Sequence, residues 1–269
     1  MTDLIHPSAI IHPSAALEPG VRIGPFCVIE EDAQIGAGSI LHAGVTIQKY
    51  TRIGRECEIH GGAILGGTPQ DTKFKGEKSF LEIGDHNIIR EFVTIHRASG
   101  EGEITRLGDR NMLMAYAHIG HNCEIGNGIT IASYAGVSGH VTIDDSANIS
   151  GVVGIHQFCR IGTLAMVGGV SGVVKDIPPY MIANGQRAKI IDININGLRR
   201  AGVSPKVRGE LRLAYKLLER SGLNQSQALE AIINDIPTSP ELELLLNFIR
   251  QSREGFNGRG KNPLPKPPA

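Results

Sequence analysis

The chain has 269 residues, with 27 Lys plus Arg balanced by 27 Asp plus Glu, 34 glycines and no tryptophan. A net charge of zero supplies no whole-molecule field that would draw nucleic acid or an anionic membrane. No apolar run approaches the roughly 18 residues of a spanning helix, and Met1 leads into polar Thr2 and Asp3 rather than a secretory leader. A cytoplasmic protein with no nucleic-acid partner and no membrane insertion is expected.

Of the 29 positions reached by stepping in sixes from Ile5 to Val173, 26 are Ile, Leu or Val; only Asp71, Glu77 and Glu101 break the series. The position four residues after each aliphatic is usually small or β-branched, as at Ala9, Ala15, Val21, Ala33, Ser39 and Val45. A period of six suits neither an amphipathic helix nor a simple alternating strand. It suits a hexapeptide parallel β-helix, whose repeats bury their apolar residues only by stacking. Three rungs per coil predict nearly ten coils and, at roughly 4.8 Å per stacked strand, a prism about 45 Å long. The glycine content, about 13% against roughly 7% on average, accords with coil corners that need unusual backbone angles.

Two excursions interrupt the coil without losing phase. Gly67 to Ser79 holds Gln70, Asp71, Thr72 and Lys73, and Ala98 to Thr105 holds Ser99, Gly100 and Glu101. Loops that leave a rigid scaffold are favoured places for binding residues. Pro178-Pro179 marks the exit from the coil, residues 180–191 read as extended or looped, and from Ile191 the pattern turns helical. Ser204-Pro205 starts one helix that ends near Ser221-Gly222. Asn224 or Ser226 opens a second through Ile233, and Ser239-Pro240 a third. The expected division is a β-helix domain over 1–190, a helical domain over 191–254 and a disordered tail over 255–269. Nine basic residues against three acidic ones between Arg187 and Arg220 read either as solvated helix faces or as a docking face for an acidic partner.

Cys27, Cys57, Cys123 and Cys159 each fall four residues after an aliphatic of this six-residue clock, in the small inward slot. They match no zinc spacing and read as core thiols. The histidines divide differently. His6, His12, His42 and His60 directly follow clock residues in ordinary repeats, whereas His96, His118, His121, His140 and His156 gather in the second half. His121, His140 and His156 are 19 and 16 residues apart, near one 18-residue coil, and are expected to form a column walling a groove. One reading is a zinc site of trimeric β-helix carbonic-anhydrase type, built from His118, His121 and His140. The other is a neutral imidazole acting as general base on a hydroxyl, with no metal.

The segments Ala117-His118-Ile119-Gly120-His121, Gly154-Ile155-His156-Gln157-Phe158, Gly168-Gly169-Val170-Ser171-Gly172 and Asp176-Ile177-Pro178-Pro179-Tyr180 resemble the UDP-N-acetylglucosamine O-acyltransferases of lipid A biosynthesis. Gln70-Asp71-Thr72-Lys73, Thr94-Ile95-His96-Arg97 and Ala214-Tyr215-Lys216-Leu217 match as well, so the resemblance runs through both excursions into the helical tail. It implies an all-β left-handed parallel β-helix with a C-terminal α-helical domain, an exception to the usual crossover hand. It also implies a homotrimer with sites between subunits, and transfer of a 3-hydroxyacyl group from acyl carrier protein to the glucosamine 3-hydroxyl. No cofactor is implied beyond the carrier's 4′-phosphopantetheine. Position by position, it implies His121 as general base and the Gly139 N–H as oxyanion donor. Asp71, Lys73, His118, His140 and Gln157 would hold sugar or acyl chain. His96, His156, Asn194 and Arg200 would lie near the nucleotide, phosphate or pantetheine, and Gly169 would leave room for a long acyl chain.

The chain departs from that pattern beside the base, where Asn122 replaces the usual Asp. An amide oxygen can fix the ring tautomer but adds no negative charge to favour the imidazolium. A less basic His121 is expected. It would make a slower enzyme, one helped by another group, or one acting on a more nucleophilic 3-amino sugar, and Asn122→Asp is expected to raise the rate. Arg187, Asn196 and Ala201 also differ from the residues usual in the family.

Overall fold

The computed structural model describes residues 4–254 and Gly258. Its strands are mostly two residues long, the second being the clock aliphatic: Val28–Ile29, Thr46–Ile47, His118–Ile119, Thr130–Ile131. A pair so short cannot stand alone. Each is held by parallel pairing to the rung one coil above and one coil below, as Ile10 with Val28 and Val28 with Thr46. The strands stack into three sheets of nine, eight and ten members, the faces of a three-sided prism.

The aliphatics point inward. From Ile23 onward every clock aliphatic is buried, while Ile5 is exposed and Ile11 and Leu17 are half-buried at the open first coil. The four cysteines are free and buried in the inward slot, and burial drives the Cys123 thiol up to about 12. They are packing atoms. A second line of inward residues is polar: Asn87 donates to the carbonyls of Gly84 and Gly108 and accepts from Asn111 N. Asn111 repeats the pattern with Gly126 O and Ile129 N. Such side-chain bonds satisfy corner carbonyls that the short strands leave unpaired.

The three breaks in the clock are now explained. Ile64 pairs with Thr94, 30 residues on, and Thr94 with His118, 24 on, where an uninterrupted coil advances 18. The excursions therefore add twelve and six residues, whole multiples of the repeat, and the slots at Asp71, Glu77 and Glu101 are loop, not rung. This corrects the expected coil number: the sheet running from Ile10–Ile11 to Gly172–Val173 has nine strands, hence about 38 Å of stack. The corners also differ from the glycine expectation. Among the described residues, seventeen non-glycine residues take positive φ, against thirteen glycines. Backbone bonds from one coil to the next, such as Tyr116 N to Glu91 O and Val152 N to Ser133 O, hold those residues in the left-handed region.

Past the coil, Met181–Asn184 joins the ten-stranded sheet and Lys189–Ile193 pairs back on it antiparallel. The second strand thus runs through Ile191, where the pattern was expected to turn helical. The helices are α1 (Ile195–Arg200), α2 (Pro205–Glu219), α3 (Gln225–Asp235) and α4 (Pro240–Glu254). The short α1 lies within the stretch expected to be helical from Ile191, though it was not singled out there. Ser204 caps α2, and Asn224 caps α3 through a reciprocal box with Gln227. The helical region folds back on the prism through Arg160, which bonds Asp144 at 3.0 Å and Gln251 of α4 at 2.8 Å, with Phe248 4.4 Å from its guanidinium. Of the tail expected over 255–269, all but Gly258 lies outside the described residues.

Candidate active site

Along the nine-stranded sheet the register aligns Ile95, Ile119, Val137, Ile155 and Val173 in one inward column. The residues that follow turn outward at the prism edge and line a groove of about 610 Å³. Its walls include Gln70, His96, His118, His121, Ser138, Gly139, His156 and Gln157. Since Ile119, Val137 and Ile155 are in register, His121 is level with Gly139 and Gln157, whereas His156 is level with Gly120 and Ser138. The expected single column of His121, His140 and His156 is thereby corrected, because spacings of 19 and 16 miss the 18-residue coil by one and two positions. His140 still meets His121 edge to face at 5.2 Å and stacks on Phe158 at 4.7 Å, behind the groove.

His121 is the best-held ring. Its Nδ1 lies 2.8 Å from Asn122 Oδ1, which also accepts the Ser99 N–H at 2.9 Å. An oxygen there is an acceptor only, so Nδ1 carries the proton and Nε2 keeps its lone pair. Asn122 is held by two further bonds, in a backbone conformation that suits it. Its Nδ2 donates to Ser99 O at 3.1 Å, its N–H donates to Thr105 Oγ1, and its φ of +56° is one that Asn tolerates better than most residues. A Cβ added to Gly139 would sit 2.7 Å from His121 Nε2, so only glycine lets the ring lie over this corner.

His96, His118 and His140 are held below the ordinary imidazole range. Burial, reinforced by the neighbouring His118 and His121, pushes His96 down to about 4, and burial also lowers His118. Burial first, and then His121, lowers His140. His118 Nδ1 is 2.8 Å from Thr94 Oγ1 and its ring meets His96 edge-on at 5.1 Å. His96 Nδ1 is buried without a hydrogen-bond partner. The Asp71 carboxyl is lowered from its ordinary value, because it accepts the Lys73 N–H and then the Ser99 hydroxyl.

Among the described residues, His118, His121 and His140 form no cluster of converging ligand atoms. The trio that does is His42, Glu58 and His60, outside the groove. Gly169, Asn194 and Arg200 also lie outside the groove of this chain. Asn194 caps α1 by accepting Gly197 N and donating to Leu164 O, so its amide is occupied structurally. Arg200 is exposed in the last turn of α1, and Gly169 is exposed at a coil corner. Ser99 and Ser138 were not foreseen as site residues. Ser99 was findable only as part of the second excursion.

A stacked hexapeptide coil with an imidazole-lined groove defines the class of hexapeptide-repeat transferases. The family described as bacterial transferase hexapeptide (six repeats) matches residues 14–49 and 104–139, and that described as UDP N-acetylglucosamine O-acyltransferase, domain 2, matches 176–257. The acyl-[acyl-carrier-protein]–UDP-N-acetylglucosamine O-acyltransferase of Thermodesulfovibrio yellowstonii is 45% identical over 94% of this chain and 98% of its own. That of Gloeothece citriformis is 44% identical over 76% and 73%. The crystal structure of LpxA, a UDP-N-acetylglucosamine acyltransferase from Bacteroides fragilis, superposes with a TM-score of 0.90 at 42% identity, covering 94% of this chain and 98% of that one. LpxA from Acinetobacter baumannii gives 0.90 at 44%, covering 93% and 98%. The chain belongs to the UDP-N-acetylglucosamine O-acyltransferase family; it is an acyltransferase built on a left-handed parallel β-helix with a helical C-terminal region.

Proposed function

We propose that the enzyme moves an (R)-3-hydroxyacyl group from the 4′-phosphopantetheine thioester of acyl carrier protein to the 3-hydroxyl of UDP-N-acetylglucosamine, the opening step of lipid A biosynthesis. The relatives' names supply donor and acceptor. The observation that carries the chemistry is the His121 ring, tied at Nδ1 to Asn122 and lying over Gly139 in the groove.

His121 Nε2 takes the hydroxyl proton as the sugar oxygen attacks the thioester carbonyl. The carbonyl electron pair moves onto oxygen, where the Gly139 N–H donates to it. Collapse breaks the C–S bond, and the imidazolium returns its proton to the leaving pantetheine thiolate. The reaction needs no acyl-enzyme, in keeping with cysteines sealed in the core. Neutral His96 and His118, with Asp71, Lys73, His140 and Gln157, surround the sugar and acyl chain, and His156 lies toward the nucleotide or pantetheine. The enzyme requires no cofactor of its own and works in the cytoplasm, where the carrier resides.

A homotrimer belongs to this reading. Phe92, Tyr116 and Tyr134 stack at 5.1 and 5.0 Å along one corner of the prism, and Val152 and Val170 extend the exposed ridge. A continuous apolar ridge of this kind fits a second copy of the chain. A neighbouring copy would bring Gly169, Asn194 or Arg200 to the groove, which one chain does not. Neutral Asn122 also favours, as a second reading, a 3-amino sugar acceptor, which asks less of the base.

The test is to incubate the enzyme with each acceptor and a graded series of 3-hydroxyacyl carriers, then identify the product by mass spectrometry. An O-acyl ester with UDP-N-acetylglucosamine, lost by at least ~10²-fold in His121→Ala, is the expected result. An amide from the amino sugar alone selects the second reading. Undiminished turnover by His121→Ala overturns the mechanism.

A further inference from the structure

Asn122 leaves the imidazolium without an adjacent carboxylate, yet a carboxylate stands one link away. Asp71 Oδ2 accepts the Ser99 hydroxyl at 2.9 Å, Asn122 Oδ1 accepts the Ser99 N–H at 2.9 Å, and the same oxygen faces His121 Nδ1 at 2.8 Å. Asn122 Nδ2 closes the link by donating to Ser99 O. Ser99 is therefore held by both arms of one amide, and its hydroxyl holds the acid of the other excursion. Lys73 N caps the second carboxylate oxygen at 3.0 Å.

We propose that Ser99 is a positioning residue that locks Asp71 beside the His121–Asn122 pair, and that the Asp71 carboxylate is the counter-charge for the imidazolium formed during acyl transfer. The inference rests on the function proposed above for His121. It gives Asp71 an electrostatic role in addition to contact with substrate. The physical ground is that a carboxylate fixed relative to the ring through Ser99 and Asn122 stabilises a cation through space without touching it. His121 in turn contributes to the lowering of Asp71. The other charged or titratable groups facing this centre are His96, His140, Lys73 and Glu103. His96 and His140 are kept neutral, and Lys73 opposes the effect of Asp71. The link also bears on Asn122→Asp. An acid at 122 would lose the bond to Ser99 O and set a carboxylate oxygen against that carbonyl, so the amide is the better match to this loop.

The experiment follows the ¹⁵N imidazole resonances of His121 with pH in the substrate-free enzyme, for wild type, Ser99→Ala, Ser99→Thr, Asp71→Asn and the Ser99→Ala/Asp71→Asn double variant. Alongside it, the pH profile of kcat is measured with the acceptor that the wild type uses. The His121 titration is expected to fall by roughly half a pH unit in Ser99→Ala and in Asp71→Asn. Ser99→Thr should return it to the wild-type value, and the double variant should be no lower than Asp71→Asn alone. In the active enzyme the acid limb of kcat moves with it, and kcat drops about fivefold in Ser99→Ala. An unmoved His121 titration in either Ser99→Ala or Asp71→Asn overturns the proposal, whatever the activity. A moved titration in a protein that acylates no sugar nucleotide would instead overturn the functional reading and leave the electrostatic link standing.

Discussion

At the scale of single residues, the groove is assembled by small exclusions as much as by functional groups. Gly139 has no side chain because the His121 ring occupies the place where one would go. We expect Gly139→Ala to displace the ring and lower kcat by ~10²-fold while the thermal midpoint changes little, since the corner is half-buried and φ there is not positive. Steady-state kinetics beside a melting curve checks this; a variant with normal kcat would show that the ring does not depend on the bare corner. The residues of this centre were unevenly legible. His121, Gly139 and Asp71 were named from their motifs, but the columns assigned to His140 and His156 required the true register. Asn194 shows what a motif leaves unsaid: within one chain both ends of its amide are used to start α1 and bind Leu164 O.

At the scale of elements, the prism tolerates insertions only in its own unit. The excursions add twelve and six residues and the rungs beyond them resume in phase, because a shift of one residue would turn every inward aliphatic outward. Excising residues 68–79, a loss of twelve, should therefore leave circular dichroism and cooperative melting nearly intact while abolishing acyl transfer. Removing eleven of the same residues should unfold the coils beyond the cut. Equal stability of the two deletions would refute the phase argument. The same logic explains why helix starts were readable at Ser204, Asn224 and Ser239, whose side chains each bond a backbone N–H three residues on. The hairpin of Met181–Asn184 and Lys189–Ile193 carries no repeat, and residues 180–191 were legible only as extended or looped. Its strands exist because they close the last coil of the ten-stranded sheet.

At the scale of the whole molecule, one chain carries only part of the proposed site, and the stacked ridge of Phe92, Tyr116 and Tyr134 is where copies are expected to meet. Tyr134, 62% exposed in the single chain, can accept a charge without disturbing the coil. We expect Tyr134→Glu to sediment as a monomer, with wild-type far-ultraviolet circular dichroism and less than about a tenth of the activity. A monomer with full turnover would confine catalysis to one groove and remove the neighbouring copy from the mechanism.

The amino-acid order alone determined the coil, its inward column, its buried thiols and the capped helices. Each of these is a local or periodic property, repeated often enough that no single residue decides it. Only the folded chain decided which histidines share a level, and that Ser99 joins Asp71 to Asn122. Those contacts link positions 23 and 28 residues apart across two loops. Distance in space at such separations is set by the exact coil advance and the path of each excursion, which residue spacing along the chain does not encode.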